Sequence, residues 1–590
     1  MHDLAAPSAT NLEETKTSPA AAYRRRARAI ATNPLFVLAV AACVALIVLL
    51  VVQDRTAAAS RVRFRPSSVD WANWTQYYPP ASIRALPTGK PRDMPRIQFD
   101  FPLYRPDPVA RERQQAVKDV FVRGWESYRA NAWYYDELLP VTGGWTNTLG
   151  GWGLTMIDAL DTLYIMGLQD EFTFAAGTIA QLDWANTTYR DINVFETTIR
   201  HMGGLLSAYD LSGEKALLQK AEELGSMLYL AFDTPNRLPP FLLNLVDAQN
   251  GTQVAGDYDP AAGPTSLCLE FTRLAQLTND NKYFDAIDRV TSFLVRSQNQ
   301  SAIPGLWPML INFRDEDVTQ AHTFTLGANA DSLYEYFPKM HLLLGGLDPV
   351  YESLYTSSMD TAIHHLLFRP MLPLDNNTLL FAGDASNDTG ILTHIPASQH
   401  LACFAGGMFA LGGRLFGNAA HLSVGDRLAR SCAWAYAAFP SGVMPEKFGM
   451  VPCANLTGDC WWDEALWARS RGGDVGLPEG FTNALDPRYL LRPEAIESVF
   501  LLYRITGAED LRDVAWEMFQ SIVSATTTEY ANAAVANVTV TGVTEKVDTM
   551  DSFWLSETLK YFYLIFAPQT VISLDDFVFN TEAHPFRRPK

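Results

Sequence analysis

The sequence has little cysteine and no excess of positive charge. Its six cysteines in 590 residues include no Cys-x-x-Cys pair, which argues against the usual structural zinc sites. Lys and Arg number 46 against 65 Asp and Glu, and the net charge of -19 leaves no basic stripe to meet phosphates. We therefore expect no nucleic-acid partner.

Several short motifs of common enzyme classes are also absent. The chain has no Gly-x-Ser-x-Gly, no His-Glu-x-x-His, no phosphate-binding glycine loop and no complete calcium-loop pattern. These absences exclude nucleophilic serine chemistry, zinc peptidases and kinases. What is present, 48% hydrophobic and 12% aromatic residues, is typical of a globular enzyme with a sizeable core.

One apolar run, residues 35–52 (LFVLAVAACVALIVLLVV), is near the lower length limit for crossing a bilayer. We interpret it as a transmembrane signal-anchor, with a cleaved signal peptide as the alternative. Residues 1–34 are polar and basic, which predicts a cytosolic tail. Residues 53–106 are rich in Pro and Arg and predict a lumenal stem, followed by a catalytic domain over 107–590.

The orientation of this span is predicted by two features, because basic residues on both sides of it favour a cytosolic N-terminus only slightly. The five cysteines after the span are compatible with two disulfides and one buried thiol, as in an oxidising lumen. Acceptors for N-glycosylation occur only after the span, at Asn73, Asn186, Asn250, Asn299, Asn376, Asn387, Asn455 and Asn537. We expect a single-pass type II membrane protein.

Beyond the predicted stem the chain is rich in helical patterns that repeat as hairpins. An apolar helix ends in a short turn and an amphipathic helix follows, at LSGEKALL from Leu211, LTNDNKYF from Leu277, LGGLDPVY from Leu344 and ITGAEDLR from Ile505. Buried inner and charged outer helices predict an all-α, closed α/α toroid. An open solenoid is the alternative, but it would not bring carboxylates from both ends of the chain together.

Five of the apolar helical runs contain carboxylates, which cost several kcal/mol to bury unless they are paired. Five occurrences indicate one polar cavity ringed by acids, suited to hydrolysis by acid and base. The runs are FETTIRHMGGLLSAY from Phe195, LCLEFTRLAQL from Leu267, ADSLYEYF from Ala330, LRPEAIESVFLLYRIT from Leu491 and FWLSETLKYFYLIF from Phe553.

Each part of this pattern also has a structural interpretation. Glu196 and Arg200 are four residues apart and could form a simple intrahelical salt bridge. Phe553 and Glu557 share a helical face that suits stacking on a sugar ring, but core packing around a buried Glu is the alternative. His400 could equally be a satisfied core residue.

Neighbouring like charges in an apolar helix are harder to explain by packing. Asp331 and Glu335 are four residues apart, and Glu494 and Glu497 are three apart. Each carboxylate raises the pKa of its neighbour, so the pairs need cations, hydrogen bonds or water.

Taken together, these segments resemble glycoside hydrolase family 47, the class I α-1,2-mannosidases that trim N-glycans. The resemblance covers roughly residues 107–588, in family order. It is carried by GGWGLTMIDALDTLYIMGL from Gly150, VFETTIRHMGGLLSAYDLSG from Val194, ADSLYEYFPK from Ala330, HLACFAGG from His400, YLLRPEAIES from Tyr489, MDSFWLSETLKY from Met550 and VFNTEAHP from Val578.

The resemblance implies an (α/α)7 barrel, a bound Ca2+ and hydrolysis with inversion at the anomeric carbon. By motif, Glu196 would be the general acid, Glu494 the general base and Asp331 a further catalytic carboxylate. Thr581 would hold the Ca2+ through its hydroxyl and carbonyl oxygens, with waters and sugar hydroxyls completing the shell. Other residues that match the family's site are Arg200, His400, Arg492, Phe553, Glu557 and Glu582.

The resemblance also implies a disulfide between Cys403 and Cys432, whereas the spacing of Cys453 and Cys460 suggests a second, small loop. The chain departs from the family pattern in two places. Asn329 occupies the position two before Asp331 that varies with subtype, which leaves open the mannose removed first. Residues 451–477 are interpreted as an insertion of unknown role.

The expected function is that of a Golgi or endoplasmic reticulum α-1,2-mannosidase, anchored by one helix, that acts on high-mannose N-glycans of glycoproteins. Two alternatives stay open. The first is a weakly catalytic glycan-binding relative of the same fold, and the second is a non-enzymatic helical scaffold. Calcium-dependent thermal stabilisation is expected for the enzyme and the glycan-binding relative but not for the scaffold.

Overall fold

The structure is a computed structural model that describes residues 62–102, 107–374, 378–472 and 476–590. One folded unit runs from Val62 to Lys590. The predicted cytosolic tail and signal-anchor lie outside the described residues and stay predictions. Within the described ranges, no helix combines the length and the apolar character that crossing a membrane requires.

The described chain is mainly helical, as predicted. Its α-helices are α1 (Pro108–Asn131), α2 (Leu154–Asp158), α3 (Leu160–Ile165), α4 (Gln169–Ile179), α5 (Val194–Glu196), α6 (Gly203–Ser212), α7 (Lys215–Tyr229), α8 (Leu245–Asn250), α9 (Ala262–Thr265), α10 (Cys268–Thr278), α11 (Asn281–Ser297), α12 (Asp331–Leu343), α13 (Val350–His365), α14 (Ala405–Leu415), α15 (Ala419–Ala438), α16 (Glu464–Ser470), α17 (Glu494–Thr506), α18 (Asp510–Thr526) and α19 (Leu559–Phe566). Two π-helical segments, Thr197–Met202 and Trp554–Thr558, precede α6 and α19.

The four predicted hairpin turns are confirmed, because they join α6 to α7, α10 to α11, α12 to α13 and α17 to α18. In the first of them Gly213 ends α6 in the left-handed conformation, which glycine adopts without a steric penalty. The Glu214 side chain then accepts a hydrogen bond from the backbone N–H of Ala216 and caps α7. The turn residues therefore stop one helix and start the next.

Seven helix pairs are in contact: α3 with α4, α6 with α7, α10 with α11, α12 with α13, α14 with α15, α17 with α18, and α19 with α1. The first members also contact one another in succession, from α3 through α6, α10, α12, α14 and α17 to α19. The π-helical segment before α19 contacts α3. The last pair thus joins the two ends of the helical region.

The members of a pair differ in burial in the way the sequence predicted for inner and outer helices. Every residue of α12 after Asp331 is buried. In α13 the buried side chains recur at intervals of three or four, as on one face of an amphipathic helix. The first helices therefore lie in the interior, where their carboxylates are removed from bulk water.

Short antiparallel strands, which the sequence did not predict, connect the helices. They are β1 (Glu137–Leu139), β2 (Gly144–Thr146), β3 (Asp191–Asn193), β4 (Leu242–Asn244), β5 (Asp259–Pro260), β6 (Leu310–Ile311), β7 (Thr323–Phe324), β8 (Leu367–Phe368), β9 (Phe381–Ala382), β10 (Asp384–Ser386), β11 (Thr393–Ile395), β12 (Ala397–Gln399), β13 (Lys447–Met450), β14 (Phe481–Asp486), β15 (Ala534–Val535), β16 (Lys546–Val547), β17 (Phe577–Phe579) and β18 (Pro585–Arg587).

These strands form small sheets that order the loops between hairpins. The three-stranded sheets have the orders β11-β10-β7 and β12-β13-β14. The two-stranded sheets are β1-β2, β3-β4, β5-β6, β8-β9, β15-β16 and β17-β18.

The structure differs from the predicted stem over residues 62–102, which pack against the helical body. The side chains of Val62, Trp71 and Ile97 are buried. This stretch is mostly irregular, so its backbone N–H groups are available to bond outward. They and its side chains donate to a series of carboxylates on the body, namely Glu223, Asp233, Asp285, Asp288 and Asp575.

Both expected disulfides are present, Cys403–Cys432 and Cys453–Cys460, and Cys268 is a buried free thiol. The second bridge lies in the predicted insertion, residues 451–477, between β13 and β14. There, Trp467 of α16 packs in a small apolar cluster of its own.

Candidate active site

A cavity of about 280 Å3 lies among the inner helices. Because its walls come from helices far apart in the chain, it depends on the packing of the whole helical body. Seven carboxylates and two guanidinium groups line it: Glu196, Asp331, Glu335, Glu494, Glu497, Glu557, Glu582, Arg200 and Arg492.

Glu196 and Arg200 enter the cavity where an α-helical turn becomes a π-helix. Asn193 caps the short helix α5, since its side-chain oxygen accepts a hydrogen bond from the backbone N–H of Glu196 at 3.0 Å. The π-helix that follows widens the backbone, a feature common at functional sites. Arg200 donates to Glu196 through Nε at 2.8 Å and to Glu582 through Nη1 at 2.8 Å.

Glu494 is the first residue of α17 and follows Pro493. Its Oε2 lies 2.8 Å from Nδ1 of His400, and Nε2 of that ring lies 2.7 Å from the Tyr436 hydroxyl. Burial would raise the pKa of Glu494, but the hydrogen bond and charge of His400 and the charge of Arg492 lower it overall. Glu494 is therefore kept ionised.

Asp331 begins α12, and its pKa is shifted in the opposite direction to that of Glu494. Burial raises the pKa of Asp331 to about 7, against the hydrogen bond that it accepts from the Ser332 backbone. The charges of Glu335, Glu494 and Glu196 act in the same direction as burial. The three predicted catalytic carboxylates thus lie close enough to influence one another.

A buried lysine compensates part of the charge beneath them. The ammonium group of Lys339 bonds to Glu335, lies 3.7 Å from Oε1 of Glu497 and donates to the backbone oxygen of Asn580 at 3.3 Å. Burial still raises the pKa of Glu497 to about 8, helped by Glu335 and Glu494 and opposed by Lys339. Below that pH, Glu497 carries a proton.

Thr581 lies at the tip of the β17–β18 hairpin and lines the same cavity. Its backbone N–H donates to the Tyr336 hydroxyl at 3.2 Å. The side-chain oxygen of Asn580 accepts from the backbone N–H groups of Glu582 and His584 and so holds the tip in a tight turn. Among the described residues, none hydrogen-bonds to the hydroxyl or carbonyl oxygen of Thr581, so both are free to bind a ligand.

Glu557 and Glu582 flank this tip. Burial raises the pKa of Glu557 well above its ordinary value, and the neighbouring Glu582 adds to the effect. Burial raises the pKa of Glu582 to about 7, although the charge of Arg200 opposes it. The two side chains share a hydrogen bond and therefore a proton.

Phe553 supplies an apolar surface in this acidic cavity. The Cζ atoms of Arg200 and Arg492 lie 5.7 and 5.8 Å from the centroid of its ring. Arg492 is itself held by a hydrogen bond to Glu446 and lies 4.0 Å from Glu494. The ring and the two arginines therefore pack together in the cavity wall.

Nine of the ten predicted catalytic, substrate-binding and metal-binding residues line the cavity directly. The exception, His400, acts through Glu494. One further expectation fails in detail. Glu270, from one of the five acidic runs, does not line the cavity and bonds instead to Tyr336 and Asn580.

A buried ionic cluster was missed by the sequence reasoning. Asp158 and Asp161 contact opposite nitrogens of the His584 ring, at 3.1 and 2.9 Å, and Lys560 lies 2.8 Å from Asp161. Asp158 also lies 3.9 Å from Arg200. The signal was available, because both aspartates interrupt the apolar run of GGWGLTMIDALDTLYIMGL just as the five recognised acids interrupt theirs.

A second cavity of about 540 Å3 meets the first at Glu196 and Arg200, which line both. Glu137 and Asp551 add acidic groups to its wall. Burial raises the pKa of Glu137 to about 8, with the charge of Asp551 acting in the same direction. The two cavities therefore share part of their walls.

Comparison with known proteins agrees with this arrangement. A mannosyl-oligosaccharide 1,2-alpha-mannosidase of Arabidopsis thaliana is 36% identical over 488 residues, covering 82% of this chain and 80% of that protein. The endoplasmic reticulum mannosyl-oligosaccharide 1,2-alpha-mannosidase of Homo sapiens is 35% identical over 512 residues, covering 84% and 68%.

A solved structure is similar as well. The alpha-1,2-mannosidase from Trichoderma reesei superposes with a TM-score of 0.72 at 31% identity, covering 81% of this chain and 99% of that one. The model of glycosyl hydrolase family 47 matches residues 120–588, which contain every residue of the acidic cavity. The chain therefore belongs to glycosyl hydrolase family 47.

Proposed function

We propose that this protein is an α-1,2-mannosidase that removes terminal α-1,2-linked mannose from high-mannose N-glycans of glycoproteins. The observation that carries the proposal is the cavity in which Glu196, Asp331 and Glu494 converge beside the free oxygens of Thr581. The names of the relatives from Arabidopsis thaliana and Homo sapiens supply the bond type and the class of oligosaccharide.

We propose further that the seven helix pairs form an (α/α)7 barrel with the cavity at its axis. The succession of contacts from α3 to α19, and from the preceding π-helical segment back to α3, supports this arrangement. The complete burial of α12 after Asp331 has the same implication, since inner helices of a barrel have no solvent face.

The chemistry that we propose is a single displacement with inversion at the anomeric carbon. Glu494 acts as general base, because His400 and Arg492 keep it ionised and able to take a proton from the attacking water. Glu196 acts as general acid, because it lines both cavities and so lies where the leaving sugar would pass. The acid and base of inverting glycosidases stand about 6.5–9.5 Å apart, which leaves room for the water.

In this scheme Asp331 keeps a proton inside the cavity up to about pH 7. A neutral Asp331 also lessens the repulsion between Glu196 and Glu494, whose charges raise its own pKa. Phe553 offers its face to the apolar side of the mannose ring. Arg200 and Arg492 are held in the cavity wall by ion pairs with Glu582 and Glu446.

A calcium ion is the cofactor that we propose, held by the hydroxyl and carbonyl oxygens of Thr581. Bound there, it would supply a hard cation that orients sugar hydroxyls. The donor set fits, because both oxygens are free of hydrogen bonds and the cavity carries more carboxylates than cations. No described group of three His, Cys, Asp or Glu side chains is arranged for a metal, so waters and sugar hydroxyls would complete the shell.

We place the protein in the Golgi or endoplasmic reticulum, with the catalytic part lumenal and residues 35–52 as a type II anchor. The two disulfides support an oxidising compartment. The described N-glycosylation acceptors also support it, because none of their asparagines is buried. The human relative is named as an endoplasmic reticulum enzyme.

The experiment that tests the function is release of mannose from a high-mannose N-glycan by the full chain, with Ca2+ and with a chelator. Glu494→Gln is the matched variant, because it keeps the volume of the side chain but cannot accept the proton of the attacking water. We expect calcium-dependent release by the wild type and loss of release in Glu494→Gln. The anomer first released, followed by NMR, reports inversion.

The same experiment separates the alternative, a glycan-binding relative with little catalysis. A folded wild type that binds calcium but releases no mannose, from free or protein-attached glycan, would contradict the enzyme and support the binding protein. Stability that does not respond to calcium would contradict the calcium site.

A further inference from the structure

An acceptor for N-glycosylation borders the second cavity. That cavity is lined in part by Thr187, the middle residue of the acceptor Asn186-Thr187-Thr188, and by residues 189–193, which follow the acceptor. The ring of Tyr189 is 42% exposed at this rim. Glu196, the proposed general acid, lines the same cavity.

The backbone of this acceptor is fixed to the cavity wall. The indole Nε1 of Trp152 donates to the carbonyl oxygen of Asn186 at 3.0 Å. The Thr187 hydroxyl donates to the carbonyl oxygen of Gly150 at 3.0 Å, and the Thr188 backbone N–H donates to the same oxygen at 3.0 Å. Asn186 therefore has a fixed position, although its side chain is exposed.

The amide of Asn186 makes no hydrogen bond within the described chain, unlike the amides of two other acceptors. The Asn73 amide donates to Asp70 at 2.7 Å, and the Asn537 amide oxygen accepts from Thr539. Among the described acceptors, moreover, only Asn186-Thr187-Thr188 contributes a residue to the lining of either cavity. Of the acceptors that the structure describes, this one alone combines exposure, a free side-chain amide and proximity to the site.

We propose that Asn186 carries an N-linked glycan at the mouth of the second cavity and that this glycan limits access of bulky substrates to the active site. The inference rests on the proposed function and its lumenal location. The donor would be an oligosaccharide on a lipid diphosphate. The amide nitrogen bonds to C1 of the first sugar and loses one proton, while the C1–oxygen bond to the diphosphate breaks.

The position of the glycan determines which kinetic constant it affects. Asn186 lines neither cavity, so its replacement removes no side chain from the proposed catalytic machinery. A folded glycoprotein must bring its own surface to the rim, where the hydrated glycan occupies space. The glycan therefore raises KM for glycans on folded proteins and leaves the turnover of a small mannoside unaffected.

The first test is occupancy. The full chain is produced in a eukaryotic cell that glycosylates secretory proteins, and its peptides are treated with an N-glycanase in heavy-oxygen water, which marks each formerly glycosylated asparagine. We expect the mark at Asn186. An unmodified Asn186 in a protein modified at other exposed acceptors, such as Asn299, would overturn the proposal.

The second test is kinetic. Asn186→Gln and Thr188→Ala each abolish the acceptor, one by removing the asparagine and the other by removing the hydroxyl residue. Thr188→Ser preserves the acceptor. Asn299→Gln removes an exposed acceptor that borders neither cavity. Mannose release is measured on a high-mannose glycan attached to a folded glycoprotein and on a small α-1,2-linked mannobiose.

We expect KM for the folded glycoprotein to fall several-fold in Asn186→Gln and Thr188→Ala, with kcat and the constants for mannobiose unchanged. Thr188→Ser and Asn299→Gln should match the wild type. Equal KM values in all five proteins would overturn the gating role. Failure of every protein, wild type included, to hydrolyse mannobiose would instead refute the proposed function. The peptide map would still show whether Asn186 is glycosylated.

Discussion

Replacement of Asp331 by asparagine should make the protein more stable at neutral pH, although it should abolish activity. Burial raises the pKa of Asp331 from its ordinary 3.8 to about 7. Ionising this carboxyl in the folded state therefore costs free energy that the unfolded chain does not spend. Asparagine has nearly the same shape and no charge, so the variant avoids this cost.

The sign of the effect with pH follows from proton binding. Between pH 4 and 7 the folded protein keeps the proton on Asp331 while the unfolded chain loses it, so wild-type stability falls as pH rises. Above about pH 7 both states are ionised and the difference is constant. The stability advantage of Asp331→Asn should therefore grow from near zero at pH 4 and level off above pH 7.

The size of the effect can be bounded from the same values. About three pH units between 3.8 and 7, at about 1.4 kcal/mol each, give an upper limit of about 4 kcal/mol. Water in the cavity screens the charge, so a gain of about 1–2 kcal/mol is a realistic expectation. A bound calcium ion would favour the ionised carboxylate, so the difference should shrink when calcium is added.

The assay is thermal unfolding of the full chain from pH 4 to 8, at one scan rate, with chelator and with calcium. Asp100→Asn is the matched control, because the same substitution is made there on a side chain that is 84% exposed. If Asp331→Asn is less stable than the wild type at pH 7.5, or its advantage does not change with pH, the reasoning is refuted.

Three further predictions concern the base, the N-terminal segment and the metal. His400→Ala removes the hydrogen bond that lowers the pKa of Glu494, so the acid limb of the kcat/KM profile should move to higher pH; an unmoved limb would contradict the proposed role. A fragment beginning at Pro108 loses three buried apolar side chains, each worth about 1.5–3 kcal/mol, and should melt several degrees below one beginning at Val62. Chelation should lower the melting temperature of the wild type, as differential scanning fluorimetry can measure.

Much of the fold and the site was predictable because local sequence carried the signal. Turns such as the one around Gly213 combine a glycine, a capping acid and a change from apolar to amphipathic helix. A carboxylate in an apolar run can also be recognised from the sequence, since a buried charge needs a partner or a cavity. Glu196, Asp331 and Glu494 were recognised in this way and do converge.

What could not be predicted depends on partners distant in sequence. Glu446 lies in the loop between α15 and β13, which has no helical period, and only the fold shows that it holds Arg492. The segment over 62–102 has the composition of a linker, and its packing depends on carboxylates of the body that no local pattern links to it. Proline and arginine content indicates an irregular backbone, but it does not indicate whether that backbone is bound.

The pairing of the first long helix with the last has a consequence for biosynthesis. Because α1 packs on α19, this contact can form only after α19 has been synthesised. Thr581 lies beyond α19, in the β17–β18 hairpin, so the proposed metal ligand is synthesised later still. Such high contact order slows folding and prolongs the exposure of apolar inner helices. A ribosome that stops early therefore releases a chain without its closing helix or its proposed metal ligand, so truncated products should be recognised as unfolded rather than accumulate as partly active enzyme.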